Sequence, residues 1–242
     1  MKTSLATYKL FLLVLAVGFT ACSSGNQENT DSSTANTGES SDQSVEPEKI
    51  FENDYARVFR VQLEPGESLS PHEGGPRLIY SLSDYSIDWV ENGEQEGTKN
   101  WKQGDVHAHG EGMHAATNNG QTTAEWIAFV RKSDQLPACE MQSQEEAMRE
   151  VSGEQAKVLY EDDMFKIAEV QLAAGEEIPM HEGMNRLIYS MSDYTMAYLE
   201  EGEGATQTTY KAGDVHWHDA CNHSVSNPGD NNARFLVVGY KE

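Results

Sequence analysis

Basic residues and cysteines are scarce in this chain of 242 residues. Its 17 Lys and Arg stand against 40 Asp and Glu, so the formal net charge is −23. Because nucleic-acid binding depends on Lys and Arg that neutralise phosphates, this deficit argues against a nucleic-acid partner and against direct attraction to anionic lipids. Three cysteines are too few for a disulfide framework, so the fold must rest on apolar packing in one or two domains.

Long hydrophobic runs are also missing, apart from a short one near the start. Lys2 and Lys9 precede an apolar run at residues 10–19, and small residues lead from there to Cys22. About ten apolar residues cannot cross a bilayer core that needs about 20. The segment resembles a bacterial lipoprotein signal, which implies a cleaved signal peptide at residues 1–21 and a lipid on Cys22.

The residues after Cys22 predict a disordered tether. Residues 22–48 are rich in Ser, Thr, Asn, Gly, Asp and Glu, and no Lys or Arg follows Cys22 before Lys49. Such a composition cannot bury enough apolar surface to fold. We therefore expect the protein in the bacterial cell envelope, held at a membrane through the lipid alone.

An internal repeat organises the rest of the chain. Residues 50–132 align with residues 159–241 at a constant offset of 109, and 32 of the 83 aligned positions are identical. This period is far above the 20 to 50 residues of solenoid repeats, so each copy should fold as a domain. We expect one domain at 49–132, a linker at 133–157 and a second domain at 158–242. Good helix formers at 143–151 predict one short linking helix.

Within each copy the apolar pattern has the period of β-strands. Ile87 and Trp89 flank a polar residue, as do many other pairs in the repeats. Turn residues interrupt the pattern at 65–66, 74–76, 92–93 and 103–104. Breaks every 8 to 12 residues or so are typical of a β-sandwich or β-barrel. The sequence therefore predicts an all-β fold.

Histidines give the strongest functional pattern in the chain. All eight lie in the repeats, and each has a partner 109 residues away, which a site built from four histidines would explain. The first copy contains His72, His107, His109 and His114, and the second contains His181, His216, His218 and His223.

The spacing of these histidines suits a transition metal. Residues two apart in a strand share a face, so His107 and His109 should point the same way, as should His216 and His218. Converging neutral imidazoles prefer Fe, Mn, Zn, Ni or Cu to Ca or Mg. Alternatively, one histidine of each such pair orients another ligand or binds a buried carbonyl group. We expect one divalent transition metal per domain.

The histidine segments resemble the two motifs of the cupin superfamily, and the likeness covers both copies. The first motif opens with a Gly and a His six positions later, as at Gly66 and His72. The second runs from Gly-Asp to His, three residues and Asn, as at residues 104–118. The second His and the Glu of the first motif are missing, because Gly74 and the segment 78–79 occupy their positions.

This resemblance implies two tandem cupin-type β-barrels, also called double-stranded β-helices or jelly rolls. It implies metal ligands at His72, His114, His181 and His223. One of His107 and His109, and one of His216 and His218, would replace the missing motif ligands. Residues 213–225 are also similar to small cupins associated with β-alanine degradation, from which we transfer no reaction.

Substrate-binding candidates follow the first motif in each copy. Arg77 and Arg186 suit a carboxylate, which a guanidinium binds through two parallel hydrogen bonds. The alternative is an exposed ion pair with Asp84 or Asp193. Tyr80 and Tyr189 are further candidates, although such residues are more often core aromatics.

Cys221 precedes His223 by two residues, and Cys139 lies in the linker. Cys221 is a small turn residue, pairs with Cys139 in an oxidising envelope, or acts as a nucleophile beside His223.

Three functions fit this sequence. The leading one is a metal-dependent enzyme that acts on a small organic molecule with carboxylate or oxygen donors, of a dioxygenase, isomerase or decarboxylase type. The second is a non-catalytic surface lipoprotein that binds a small ligand or a metal. The third is a structural lipoprotein whose histidines stabilise two barrels. A homo-oligomer is compatible with each of them.

Overall fold

A computed structural model of the protein describes residues 44–139 and 152–241, and these residues form two β-barrels. The strands of the first barrel are β1 (Ser44–Val45), β2 (Glu48–Glu52), β3 (Ala56–Leu63), β4 (Ser68–Gly74), β5 (Arg77–Ser81), β6 (Tyr85–Glu91), β7 (Glu94–Trp101), β8 (Val106–His109), β9 (Gly112–Asn118) and β10 (Ala124–Arg131). Those of the second barrel are β11 (Ala156–Glu161), β12 (Phe165–Leu172), β13 (Glu177–His181), β14 (Arg186–Ser190), β15 (Tyr194–Glu200), β16 (Thr206–Tyr210), β17 (Val215–His218), β18 (His223–Ser226) and β19 (Ala233–Tyr240).

Each barrel consists of two sheets that face each other. In the first barrel the strand orders are β2-β3-β10-β5-β8 and β1-β4-β9-β6-β7. In the second they are β11-β12-β19-β14-β17 and β13-β18-β15-β16. The order of the strands repeats from one barrel to the other, which confirms the all-β prediction and the duplicated domain.

Strand β5 shows how the sequence builds these layers. All five of its residues are buried, because both faces of the strand are covered. Leu78 and Tyr80 point to a core shared by the two barrels, whereas Ile79 belongs to the apolar interior of the first barrel. A strand buried on both faces is expected to be continuously apolar. This explains why the segment Leu-Ile-Tyr occurs unchanged in β14.

The shared core joins the barrels through the outer faces of their larger sheets. Phe129 from the first barrel packs with Phe165 and Leu236 from the second, and all three are fully buried. Arg131 adds a polar link, since its Nη1 donates to the carbonyl oxygen of Lys241 at 2.6 Å. The expectation that the barrels share apolar surface is confirmed. Both barrels belong to one compact unit.

The predicted tether and linker lie at the edges of the described residues. The predicted tether, residues 22–48, includes residues that belong to the first barrel. Ser44 and Val45 pair with Ser68 and Leu69 of β4. The linking helix expected at 143–151 lies outside the described residues, as do the signal peptide and Cys22. The described end of the linker contains a 3₁₀ turn at Gly153–Gln155. Within residues 44–139 and 152–241, no helix is long and apolar enough to cross a membrane.

Candidate ligand-binding site

The four histidines of the first barrel come from both of its sheets, and the ring of Trp89 contacts two of them. His72 of β4 and His114 of β9 are directly paired, with ring centroids 4.0 Å apart. A register shift between Leu69 and His72 lets the strand turn His72 towards His114. His109 of β8 lies 4.6 Å from the ring of Trp89, which in turn lies 5.3 Å from that of His114.

The second barrel repeats this arrangement with a tyrosine at the centre. The rings of His181 and His223 are 4.2 Å apart. Those of His216 and His218 are 5.0 Å apart, the same separation as for their counterparts in the first barrel. Tyr198 lies 4.5 Å from His218 and 5.2 Å from His223. The structure therefore brings together the four histidines that the sequence grouped in each copy.

Four of the eight histidines have their Nδ1 atom against the carbonyl oxygen two residues earlier. A carbonyl oxygen only accepts hydrogen bonds, so Nδ1 carries the proton in these rings and a neutral ring leaves a lone pair on Nε2. This geometry suits either a metal ligand or a hydrogen-bond acceptor. The pairs are His72 with Ser70 at 2.7 Å, His114 with Gly112 at 3.5 Å, His181 with Pro179 at 2.7 Å, and His223 with Cys221 at 3.1 Å.

Burial keeps most of these histidines neutral. Removal from water disfavours the charged imidazolium, and a neighbouring arginine disfavours it further. Burial lowers the pKa of His107 and His216 to about 4, and that of His109, His114 and His218 to about 3.

A buried arginine lies beside the histidines in each barrel. Arg77 is 3% exposed and Arg186 is 4% exposed. Arg77 donates from Nη1 to the carbonyl oxygens of Gly75 and Gly110, at 3.0 and 2.9 Å. Arg186 makes the equivalent bonds to Met184 and Asp219, at 2.9 and 3.3 Å.

These arginines lack a carboxylate partner. Among the described residues, neither Arg77 nor Arg186 forms an ion pair. The exposed ion pairs expected as the alternative are wrong, because Asp84 binds Lys102 and Asp193 binds Lys211. The nearest acidic groups act on these arginines without pairing directly, Glu91 on Arg77 and Glu200 with Asp219 on Arg186. A guanidinium buried without a direct counter-ion is costly.

As they are placed, the described side chains do not form the metal centre that the histidine spacing predicts. In the part of the chain that the structure describes, no group of three or more His, Cys, Asp or Glu side chains could hold an ion. Glycine occupies the position of the second motif His, and a Cβ on Gly74 would lie 2.8 Å from Nη1 of Arg77. The buried guanidinium also repels a divalent cation. The histidine clusters still offer Nε2 lone pairs, so a bound metal stays a prediction.

A cavity opens beside the cluster in each barrel. The cavity of the second barrel has a volume of about 540 Å³, and its lining includes all four histidines and Arg186. That of the first has about 280 Å³ and is lined by His107, His109 and Trp89 among others. Ligand sites in proteins range from about 300 to 1,000 Å³, so the second barrel has room for a small organic ligand.

Tyr80 and Tyr189 do not line these cavities. Both are buried in the core shared by the two barrels, and the Tyr80 hydroxyl lies 4.0 Å from the sulfur of Met191. Successive residues of a strand point to opposite faces. Each tyrosine follows an interior arginine by three positions, so its side chain points away from the barrel interior. Their assignment as substrate-binding residues is therefore wrong.

Four aromatic residues that the sequence analysis did not assign to the site stack on its histidines. Trp101 stacks on His107 with ring centroids 3.7 Å apart, and Tyr210 stacks on His216 at 4.3 Å. Trp89 and Tyr198 form the other pair. The sequence could have indicated Trp89 and Tyr198, because both copies have an aromatic residue at this position. It follows Ile87 or Met196 by two residues and therefore shares their interior face.

Cys139 and Cys221 form a disulfide across a sequence separation of 82 residues. This confirms the pairing that the sequence analysis left open and rules out a free Cys221 nucleophile. The bond ties the linker to the loop before His223, whose Nδ1 donates to the Cys221 carbonyl oxygen. Asn185 strengthens the link, since it donates to Pro137 O at 2.9 Å and accepts from Ala220 N at 3.1 Å.

Comparison with known proteins identifies the fold class. No family model and no curated protein matches the chain. The structure is similar to oxalate decarboxylase of Bacillus subtilis, a protein with Mn(II) centres, with a TM-score of 0.58 and 16% identity over 78% of this chain and 70% of that one. It is also similar to Lactobacillus farciminis oxalate decarboxylase in a formate complex, with a TM-score of 0.59 and 14% identity over 78% of each chain. The likeness confirms the tandem cupin-type barrels.

Proposed function

We propose that the protein binds a small organic carboxylate in the cavity of the second barrel. The observation that carries the proposal is Arg186, a buried cation without an ion pair among the described residues that lines a cavity of about 540 Å³. Its bonds to described residues use three of the five N–H groups of a guanidinium. A ligand carboxylate would give Arg186 the direct ion pair that it lacks among the described residues.

The cavity lining defines the rest of the ligand. Ile178, Ile188, Met196 and Phe235 form apolar walls, whereas Arg186 and the histidines form a polar region. A ligand with one carboxylate and a short apolar body would bury both parts. The Nε2 lone pairs of His181 and His223 would accept hydrogen bonds from a hydroxyl group on such a ligand. The solved neighbours are named for a small carboxylate substrate, oxalate, which supports this ligand class.

A binding experiment with a cavity-filling variant tests the proposal. Isothermal titration with formate, oxalate, malonate and short 2-hydroxy acids should detect at least one ligand for the wild type. Ala168 lines the second cavity, and its counterpart in the first barrel is Phe59. Ala168→Phe should therefore fill the cavity, keep the fold and lower the affinity at least tenfold. Wild-type protein that binds none of these acids, or an Ala168→Phe variant that binds equally well, would contradict the proposal.

Metal analysis decides between this function and the metal-dependent enzyme that the histidine spacing predicts. Protein purified without an affinity tag should bind the carboxylate with the same affinity before and after treatment with a chelator. A stoichiometric Mn, Fe, Zn, Ni or Cu content whose removal abolishes ligand binding would favour the enzyme. His114→Ala with His223→Ala would then remove the metal, because each of these residues is an implied ligand in its own barrel.

The location of the protein remains part of the proposal. We infer that Cys22 is lipidated and that residues after it hold the barrels at a membrane of the cell envelope, as the lipoprotein-like signal implies. Cys22→Ser should move the protein from the membrane fraction to the soluble fraction. A variant that stays in the membrane fraction and keeps residues 1–21 would show that the segment is an anchor instead.

A further inference from the structure

The cavity of the first barrel has walls that are largely aromatic. Three of the chain's four tryptophans line it, namely Trp89, Trp101 and Trp126. The matching positions of the second barrel hold Tyr198, Tyr210 and Phe235. An indole attracts a cation over its ring face more strongly than a phenol or a phenyl ring does. The first barrel therefore has the better cation-binding side chain at all three positions.

The two cavities also differ in charge. Among the described residues, the charged side chains that line the first cavity are Glu91, Glu96 and Lys99. Those that line the second are Glu161, Lys166, Glu182, Arg186 and Lys241. Carboxylates outnumber cations at the first cavity and cations outnumber carboxylates at the second, so the first favours a cationic ligand. Its histidines do not reverse this charge, because burial lowers the pKa of His107 to about 4 and that of His109 to about 3.

A β-bulge brings one of these carboxylates to the cavity. The pairing of β6 with β7 shifts in register after Trp89, and Glu96 is the extra residue of β7 at this point. Gly97 follows it with a positive φ of 75°. Bulges redirect side chains and are common beside functional sites. The second barrel pairs β15 with β16 without a shift, and its residue at the position of Glu96 is Ala205. The carboxylate of Glu96 is therefore a feature of the first cavity alone.

The cations of the chain leave this cavity open to an external one. Within the described ranges, Lys99 lies over no aromatic ring, since each cation–π contact there comes from an arginine. Arg77 contacts Trp89 but does not line the cavity, so this contact is on the side of the indole that faces away from it. Glu91 acts on Arg77 and so reduces its repulsion of a cation in the cavity. Neither Glu91 nor Glu96 forms an ion pair with a described residue.

We propose that the first barrel binds a small organic cation, a methylated ammonium group, between its tryptophans and the carboxylates of Glu91 and Glu96. Aromatic walls suit such a group, because its methyl groups spread the charge and it loses less hydration than a metal ion does. The cavity of about 280 Å³ lies just below the range of about 300 to 1,000 Å³ typical of ligand sites, so the ligand is compact. This site is in the other barrel from the carboxylate site and does not depend on the function proposed there.

Isothermal titration with a matched pair of compounds tests the need for positive charge. Choline and 3,3-dimethyl-1-butanol have the same shape, but a carbon atom replaces the charged nitrogen in the second. Choline should bind at one saturable site, and the neutral compound should bind more weakly by about tenfold or more. Tetramethylammonium should also bind, because it carries the same charged group. Absence of binding by both cations, or equal affinity for choline and the neutral compound, would overturn the proposal.

A pair of surface variants tests the carboxylate of Glu96. Its side chain is exposed, so Glu96→Gln should keep the fold and lower the affinity for choline by about two- to fivefold. Glu94 is exposed on the same strand and does not line the cavity, so Glu94→Gln is the matched control and should have a smaller effect. Equal losses in the two variants would mean that only the overall negative charge attracts choline, which would overturn the site.

Two further variants test the aromatic wall and the barrel. The affinity for choline should fall from wild type to Trp101→Tyr, which introduces the residue of the second barrel, and further to Trp101→Leu, which removes the aromatic ring. Equal affinity in the wild type and Trp101→Tyr would overturn the role of the indole, even if Trp101→Leu does not fold. Ala168→Phe fills only the second cavity, so it should leave choline binding unchanged. Loss of choline binding in Ala168→Phe would place the cation in the second barrel and overturn the proposal.

Discussion

The two barrels differ most in what fills them, since the second encloses about 540 Å³ and the first about 280 Å³. Larger side chains account for the difference. The interior of the first barrel contains Phe59, Trp89, Trp101 and Trp126, and the matching positions of the second hold Ala168, Tyr198, Tyr210 and Phe235. Larger interior side chains leave a smaller cavity, because protein interiors are close-packed.

The polar frame around the cavities has changed far less. Both barrels keep the four histidines, the buried arginine and its two carbonyl acceptors. They also keep the hydrogen bond between a buried Ser and Tyr, at 2.9 Å for Ser81 with Tyr85 and 3.0 Å for Ser190 with Tyr194. Since the polar residues are retained and space is lost, the first cavity can hold only a smaller ligand than the second.

Acidification should give the largest change in stability. Burial lowers the pKa of His107 and His216 to about 4, so below pH 6.5 the unfolded chain takes up protons that the folded chain does not. The free energy of unfolding should therefore fall as the pH drops from 6.5 towards 4. His107→Gln and His216→Gln should each reduce this slope by up to about 1.4 kcal/mol per pH unit.

Denaturant unfolding between pH 6.5 and 5 measures this effect, because most carboxylates stay ionised in that range. Equal reductions in the two variants would confirm that the histidines have the same environment in both barrels. A slope that neither substitution changes would contradict the buried, neutral state of these rings.

Removal of the disulfide should be the next largest effect, and it should distinguish the barrels. Cys139 and Cys221 close a long loop. The counterpart of Cys221 in the first barrel is Gly112, which cannot form such a bond. Cys139→Ser with Cys221→Ser should lower the free energy of unfolding by about 2 to 5 kcal/mol. Equilibrium unfolding in urea checks this value, with Cys22→Ser as a control that should change nothing. A stable double variant would show that Asn185 holds the loop without the disulfide.

The repeat and the strand pattern made much of the fold predictable. Alternation of apolar residues within the offset of 109 predicted two similar β-domains, and both are present. The shared core was harder to place in detail, because Leu78, Ile79 and Tyr80 are all apolar and alternation alone does not say which face meets the other barrel. That ambiguity led to the wrong assignment of Tyr80.

The histidines of the candidate site could be predicted from the sequence, whereas the chemistry of the site could not. The histidines were grouped correctly from spacing. Burial of Arg77 and Arg186 was not foreseen, because an arginine is normally exposed and five residues of separation from a histidine do not define a direction. Glycine at positions 74 and 183 marked the missing ligand, but only the structure shows what fills that space. At Gly74 it is Arg77 and the His114 ring, and at Gly183 it is the Cys221 carbonyl group and the His223 ring.

A smaller effect is expected when the first barrel loses its extra bulk. Phe59 is half-buried and packs against the interior of that barrel. Phe59→Ala should enlarge the first cavity and lower the free energy of unfolding by about 1 to 3 kcal/mol. Ala168→Phe adds a large side chain where the second cavity has space for it. It should therefore lower the free energy of unfolding by less than Phe59→Ala does. Urea unfolding of both variants compares them, and a larger loss for Ala168→Phe would mean that the second cavity is narrower than described.

The smallest expected change converts the arginine environment of the second barrel into that of the first. Tyr198→Phe removes the hydroxyl that accepts from Nη2 of Arg186 at 3.2 Å. The free energy of unfolding should fall by about 0.5 to 1.5 kcal/mol, as for one hydrogen bond. Formate should restore part of this loss, because Arg186 then lacks an acceptor as Arg77 does. Tyr194→Phe is the matched control, since its hydroxyl bonds to Ser190 and not to the arginine. That variant should lose similar stability, and formate should restore less of the loss than it does in Tyr198→Phe. An equal restoration in the two variants would separate the effect from Arg186.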